Sequence, residues 1–301
     1  MSIVQLSQLV DHSNSAALVA EVGRLYSLSY KSGFEKVENV YVKIEKLFKG
    51  EFPGYLACNT EYHNLTHTLD ALLASARLMD GKNCSEVPFS EEHARTLLLA
   101  ALFHDTGYIQ DENDREGTGA KYTLSHVERS IEFMQKNFAA FDLEPREIPH
   151  IVHFVACTGL KSKWESLEFA DDDEIKAGAI LGTADLLGQM SDRTYLEKLL
   201  FLYYEFREAG IPGFDTEFDI LRKTLEFYQN TRDRLDRTLM GVYDYAREFF
   251  LHRMNVAENL YMTAIERQME YLRTIIADEQ TNFRHKLKRI DLESMERHYH
   301  S

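Results

Sequence analysis

The chain reads as an all-α protein, and three observations carry that reading. Only five prolines interrupt 301 residues. Apolar residues recur at helical spacing in one segment after another. No stretch shows sustained strand alternation bounded by hairpin turns. A 44% hydrophobic share is enough for a sizeable core, and 28% charged residues is typical of a globular surface.

The elements follow in order. "SAALVAEVGRLYSLSY" (15–30) and "EKVENVYVKIEKLF" (35–48) each place apolar residues on one helical face. Gly50, Pro53 and Gly54 break the next stretch into a loop. A helix then starts near Asn64 and runs to about Met79, with Gly81 as its stop signal. Ser90 is an N-cap, with Glu91 and Glu92 in the first turn, where the helix dipole favours negative charge. The helix it opens, "EEHARTLLLAALFHDTG", is apolar all round in its second half and is expected to be buried, ending at Gly107.

The polar, glycine-containing stretch 108–122 reads as a surface loop. Helices follow at about 123–138, 145–157, 172–190 and 194–209, and a long helical region spans 216–295. The expected organisation is N-terminal helices over 1–50, a catalytic helical domain over 51–210, and a C-terminal helical extension over 211–301 that packs either on the core or on a partner subunit in a homodimer.

The net charge of −15 disfavours nucleic acid as a partner. Cys58, Cys84 and Cys157 are odd in number and widely spaced, which argues against a disulfide framework and for free thiols in a reducing compartment. "MSIVQLSQLVDHSNS" has no basic n-region or long apolar run, and no segment reaches the roughly 20 apolar residues that cross a bilayer. A cytoplasmic protein with no membrane contact is the expectation.

The chemistry concentrates in a few ionisable residues on apolar helices. His104 and Asp105 follow "LLLAALF". Asp185 lies in "AGAILGTADLLGQM", and His67 lies early in the helix after Asn64. A buried aspartate is costly unless a cation or donors meet it. Two imidazoles and two carboxylates suffice for one hard divalent cation with positions left for water. His126 and His153 are candidates for a second cation. His150, three residues before His153 on the same helix, competes with it. Lys161, Lys163 and Arg193 are candidates for local positive charge near a bound anion.

"YHNLTHTLD" (62–70), "FHDTGY" (103–108) and "TADLLGQMSDR" (183–193), in this order on a helical background, resemble the HD-domain superfamily of metal-dependent phosphohydrolases over roughly residues 60–200. The first element is similar to the YHNxxHAxD element of class I cyclic nucleotide phosphodiesterases. The resemblance implies an HD-domain-like helical bundle. It implies one or two divalent metal ions (Mn, Fe, Mg, Zn or Ni) and assigns His67, His104, Asp105 and Asp185 as ligands of the first, with Asp192 the runner-up to Asp185. His63 becomes the acid that protonates the leaving oxygen, and Asp105 bridges two ions and orients the attacking water. The implied activity is phosphodiesterase-like hydrolysis of a phosphate ester of a nucleotide or related small molecule by metal-activated hydroxide. A nucleotide phosphomonoesterase and a non-catalytic metal-bound sensing or scaffold module are the rival readings. The chain departs from the phosphodiesterases at Tyr108, where they carry a further histidine, and neither Gln189 nor Gln268 sits in their purine-reading motif.

Overall fold

The computed structural model describes residues 4–160 and 164–292, and these are all-helical, with eleven α-helices and short 3-10 turns between them. The helices are α1 (Ser15–Ser27), α2 (Phe34–Phe48), α3 (Leu65–Ser85), α4 (Glu91–Phe103), α5 (His126–Asn137), α6 (Ile148–Ala156), α7 (Asp172–Ser191), α8 (Tyr195–Glu208), α9 (Glu217–Asp236), α10 (Tyr245–Met254) and α11 (Leu260–Ala277). No helix is long and apolar enough to cross a membrane among the described residues.

Helix starts follow the capping residues. The side chains of Asn14, Asn64, Ser90, Asp171, Thr216 and Asn259 each accept a backbone N–H in the first turn of α1, α3, α4, α7, α9 and α11. Pro149 sits in the first turn of α6, where a missing N–H is harmless.

Helices α3, α4 and α7 are buried along most of their length and form the centre of the molecule. Helix α3 packs on α1, α4, α7 and α10, while α7 adds α6 and α11. The core they share is continuous from Leu18 in α1 to Ile275 in α11.

One expectation is corrected here and another refined. Gly81 does not stop α3, which continues to Ser85. It is the point where α10 crosses α3: a Cβ there would stand 1.8 Å from the Tyr245 carbonyl oxygen. Close approach of two backbones, not termination, explains that glycine. The helical region expected over 216–295 is, within its described residues, three helices, α9 to α11. It breaks after Asp236, where Met240 and Gly241 take positive φ, and again at Asn255, whose left-handed conformation ends α10.

The last helices bury their apolar faces within the chain. Arg77 of α3 donates to the Tyr261 hydroxyl and lies over the Phe249 and Tyr261 rings. Asp80 accepts a two-pronged ion pair from Arg253 at 2.8 Å on both arms. The stretch 108–122 is likewise more than a surface loop. Tyr108, Ile109 and Gln110 are buried, and Gln110 donates to the carbonyls of Asp114 and Glu116.

Candidate metal centre

The first turn of α3, the turn after α4 and the fourth turn of α7 converge on one point. Asn64 caps α3 by accepting the His67 N–H at 3.2 Å, which fixes His67 at the start of a helix whose next residues are buried. Helix α4 ends at Phe103, so His104 and Asp105 leave the helix at its end. Asp105 takes φ −110° and ψ 9°, the bridge region in which many site residues sit. Ser130 of α5 clasps this turn, accepting the Gly107 N–H at 2.8 Å and donating to the His104 carbonyl at 2.6 Å. Gly107 permits the clasp, since a Cβ there would stand 2.0 Å from the His126 carbonyl oxygen.

The result is a tight donor cluster. His67 Nε2 lies 3.1 Å from both Asp105 Oδ2 and Asp185 Oδ1. His104 Nε2 lies 3.4 Å from His67 Nε2, 3.4 Å from Asp105 Oδ2 and 3.7 Å from Asp185 Oδ1. Ligand atoms about 2.1 Å from a shared cation stand roughly 3.0–3.4 Å from one another. His67, His104 and Asp185, at 3.1–3.7 Å, form a group that could hold one divalent ion, and Asp105 adjoins it through both imidazoles. His104 Nδ1 donates to the Ala101 carbonyl at 2.8 Å, which leaves Nε2 directed at the cluster. Asp105 Oδ2 is buried and accepts no well-formed hydrogen bond, as an oxygen reserved for a cation would be.

The electrostatics point the same way. Burial by itself disfavours a charged imidazole at His67, yet the carboxylates of Asp105 and Asp185 outweigh it and hold its pKa up at about 10. His104 is raised by the same two carboxylates against its own burial. Asp105 and Asp185 are pulled below the usual carboxylate range, their burial being overcome by the two imidazoles. Three buried groups and the partly exposed Asp185 thus arrange themselves around positive charge, whether proton or metal.

His126 reaches the other side of Asp105. Its Nε2 is 3.9 Å from Asp105 Oδ1, while its Nδ1 donates to the Thr123 carbonyl at 2.8 Å. Asp105 therefore presents one oxygen to the first donor cluster and the other to His126. The structure does not bring His153 to this point. Helix α6 turns both His150 and His153 toward Glu174, at 2.6 and 3.4 Å from its Oε1, and neither lines the cavity over the cluster. Both imidazoles share a helix face, as their spacing implied, but a buried glutamate of α7 occupies it. Asp192, the competitor to Asp185, pairs with Lys198 and Thr194 instead.

His63 stands beside the cluster, its ring centroid 5.6 Å from that of His67. Its Nδ1 lies 2.6 Å from Oε2 of Glu205, a fully buried residue of α8 whose other oxygen accepts the Tyr62 N–H at 2.8 Å. The Tyr108 ring stacks on His63 at 4.3 Å and on His126 at 4.8 Å. Tyr62 donates to Gln189 at 2.7 Å, and Gln189 donates in turn to Asp185 Oδ1 at 3.3 Å.

Glu205, Ser130 and the packing role of Tyr108 have no motif signal of their own. Glu205 sits in "LLFLYYEFREA", where a charged residue on an apolar face was the available hint. Lys161 and Lys163 lie outside the described residues, and Arg193 is exposed and does not line the cavity. The cysteines are free thiols, and none belongs to the cluster.

A cavity of about 360 Å³ opens over His63, His67, Asp105 and Asp185. Its floor is this polar cluster. Its far wall comes from α8, α9 and the segment between them.

The family model of the Npun_R2479-like proteins matches residues 17–247, a span that holds every helix contributing to the centre. No curated protein and no solved structure matches the chain. The match covers well over half of the sequence, and the chain belongs to the Npun_R2479-like family.

Proposed function

We propose that this protein is a metal-dependent phosphohydrolase that cleaves a small phosphate ester in phosphodiesterase fashion. The observation that carries the reading is the His63–Glu205 pair standing over a cation-shaped donor cluster at the floor of a cavity. A purely structural metal site needs no second, oriented imidazole beside it. The likeness of the three motifs to HD-domain phosphohydrolases belongs to the same proposal.

His67, His104, Asp105 and Asp185 would hold the cation, with His126 placed to help hold a second through the outer oxygen of Asp105. A divalent ion there supplies Lewis acidity, activating water near neutral pH and offsetting charge on the phosphoryl oxygens. The remaining work falls to the chain. Asp105 orients the attacking water through its inner carboxylate. Glu205 accepts the Nδ1–H of His63, which sets the tautomer and stabilises the imidazolium. The Nε2–H of His63 can then be delivered to the leaving oxygen as the ester bond breaks. Tyr108 packs flat against His63 and keeps the ring from turning away. The apolar cavity wall excludes water around the reacting group, which strengthens each of these interactions.

The test is hydrolysis of bis(p-nitrophenyl) phosphate by protein loaded with each candidate divalent ion, with p-nitrophenyl phosphate as the monoester comparison. Metal-dependent release of nitrophenolate from the diester supports the proposal. Activity on the monoester alone would favour a phosphomonoesterase. Stoichiometric metal with no turnover of either would favour a sensing or scaffold module.

A further inference from the structure

We infer, resting on the phosphohydrolase reading above, that the ester carries a flexible hydrocarbon group and not a nucleoside, and that α8 and α9 form its binding channel. The wall facing the cluster is made by Leu199, Leu202, Phe206, Phe214, Ile220 and Phe227. Ile220 and Phe227 stand seven residues apart on α9, on one face of that helix.

The threonine and glutamine groups around this wall are already committed, while the Tyr108 hydroxyl, buried without a partner, and Glu128 lie at the cluster side of the cavity. The hydroxyls of Thr123, Thr158 and Thr224 donate to the carbonyls of Ala120, Val155 and Ile220 at 2.6, 2.8 and 2.7 Å. The Gln189 amide is held on its oxygen by Tyr62 and on its nitrogen by Asp185. A nucleobase laid against the apolar α8–α9 side chains would leave donors and acceptors on that side unpaired, a cost that an aliphatic chain does not carry. Charge argues in the same direction. Among the described residues the lining holds one lysine, Lys223, and no arginine. Its ammonium is engaged by the Gly213 carbonyl and lies 4.5 Å from the Phe214 ring. A di- or triphosphate chain would find little here to meet its charge.

The rim supplies the second observation. Leu124 and Leu160 both line the cavity, yet they are 63% and 58% exposed, unusual for large aliphatic side chains. They mark an apolar lip over which a chain longer than the cavity can continue.

Alkylphosphonates test this without depending on turnover, because their P–C bond resists hydrolysis. Methyl-, butyl- and octylphosphonate are titrated calorimetrically into the full-length, metal-loaded protein. Each buried methylene adds about 0.8 kcal/mol, up to roughly fourfold in affinity, so octylphosphonate is expected to bind at least about a hundredfold more tightly than methylphosphonate. Phe206→Ser should flatten the series. Should that variant not fold, Leu124→Ser with Leu160→Ser, both at exposed positions, should weaken octylphosphonate more than butylphosphonate. A Kd independent of chain length, or tighter binding of adenosine 5′-monophosphate than of octylphosphonate, would overturn the inference. If diester hydrolysis persists alongside a flat series, the hydrocarbon channel falls and the phosphohydrolase stands. If the series is steep but no ester is turned over, the channel stands and the hydrolytic reading falls.

Discussion

His63 Nδ1 and Glu205 Oε2 meet at 2.6 Å although 142 residues separate them in the chain. Helix α8 thus supplies the group that orients the proposed acid, and the two can be separated by mutation. His63→Ala should lower kcat about 10²–10⁴-fold on a diester with a poor leaving group, with bound metal unchanged. Glu205→Gln keeps an acceptor but removes its charge, and should lower kcat by about 10–100-fold. Loss of metal from either variant would place these residues in the ligand set and sink the assignment.

Asp105 offers one oxygen to His67 and His104 and the other to His126. His126→Ala should therefore retain a first cation while losing any second. Competition with a chromophoric chelator reads this directly. Complete loss of metal from His126→Ala would show that the two sides of Asp105 do not act separately.

Tyr108 lies against both His63 and His126 and is itself buried. Tyr108→Phe preserves the stack and should leave stability within about 1.5 kcal/mol of the parent protein. Tyr108→Ala opens a cavity beside both imidazoles and should cost about 3–5 kcal/mol in urea unfolding. Equal stabilities for the two variants would mean that the ring contacts are incidental.

Gly81 faces the Tyr245 carbonyl at a distance no side chain can occupy. Gly81→Ala should push α10 from α3 and lower stability by about 1–3 kcal/mol, even though alanine is the better helix former. A stabilised Gly81→Ala protein would restore the reading of Gly81 as a helix stop.

His12 gives a pH-dependent contribution through Asp70, one helical turn beyond His67 on α3. Its hydrogen bond to the buried Asp70 raises its folded-state pKa, opposed mainly by partial burial. A raised folded pKa means stability that is fully present below the unfolded value of about 6.5 and lost as pH rises through the folded value. His12 is about one-third exposed, so the ion-pair part is on the order of 1 kcal/mol or less. The stability gap between the parent and His12→Ala should be wider at pH 6 than at pH 9. A gap that widens with pH would reverse the assigned direction.

Local signals made the helices legible. Asn64 and Ser90 cap where the sequence places them, and the apolar periodicity of residues 15–48 yields α1 and α2. The donor cluster was legible because a buried aspartate needs a partner, and two such needs, Asp105 and Asp185, lay on apolar helices beside His67 and His104. What escaped was tertiary. The sequence does not distinguish a glycine that ends a helix from one that admits another backbone, as at Gly81. The i, i+3 spacing of His150 and His153 shows that they share a face, not that Glu174 waits on it. Glu205 carries no motif, because its role exists only once α8 lies against the loop holding His63.

The central claim is that His67, His104, Asp105 and Asp185 hold a divalent cation that the chemistry requires. Elemental analysis after loading with divalent metal and desalting tests it most directly, comparing the parent protein with Asp105→Ala. Stoichiometric metal in the parent protein and none in the variant is the predicted result. A parent protein that retains no metal, or a variant that retains as much, would contradict it.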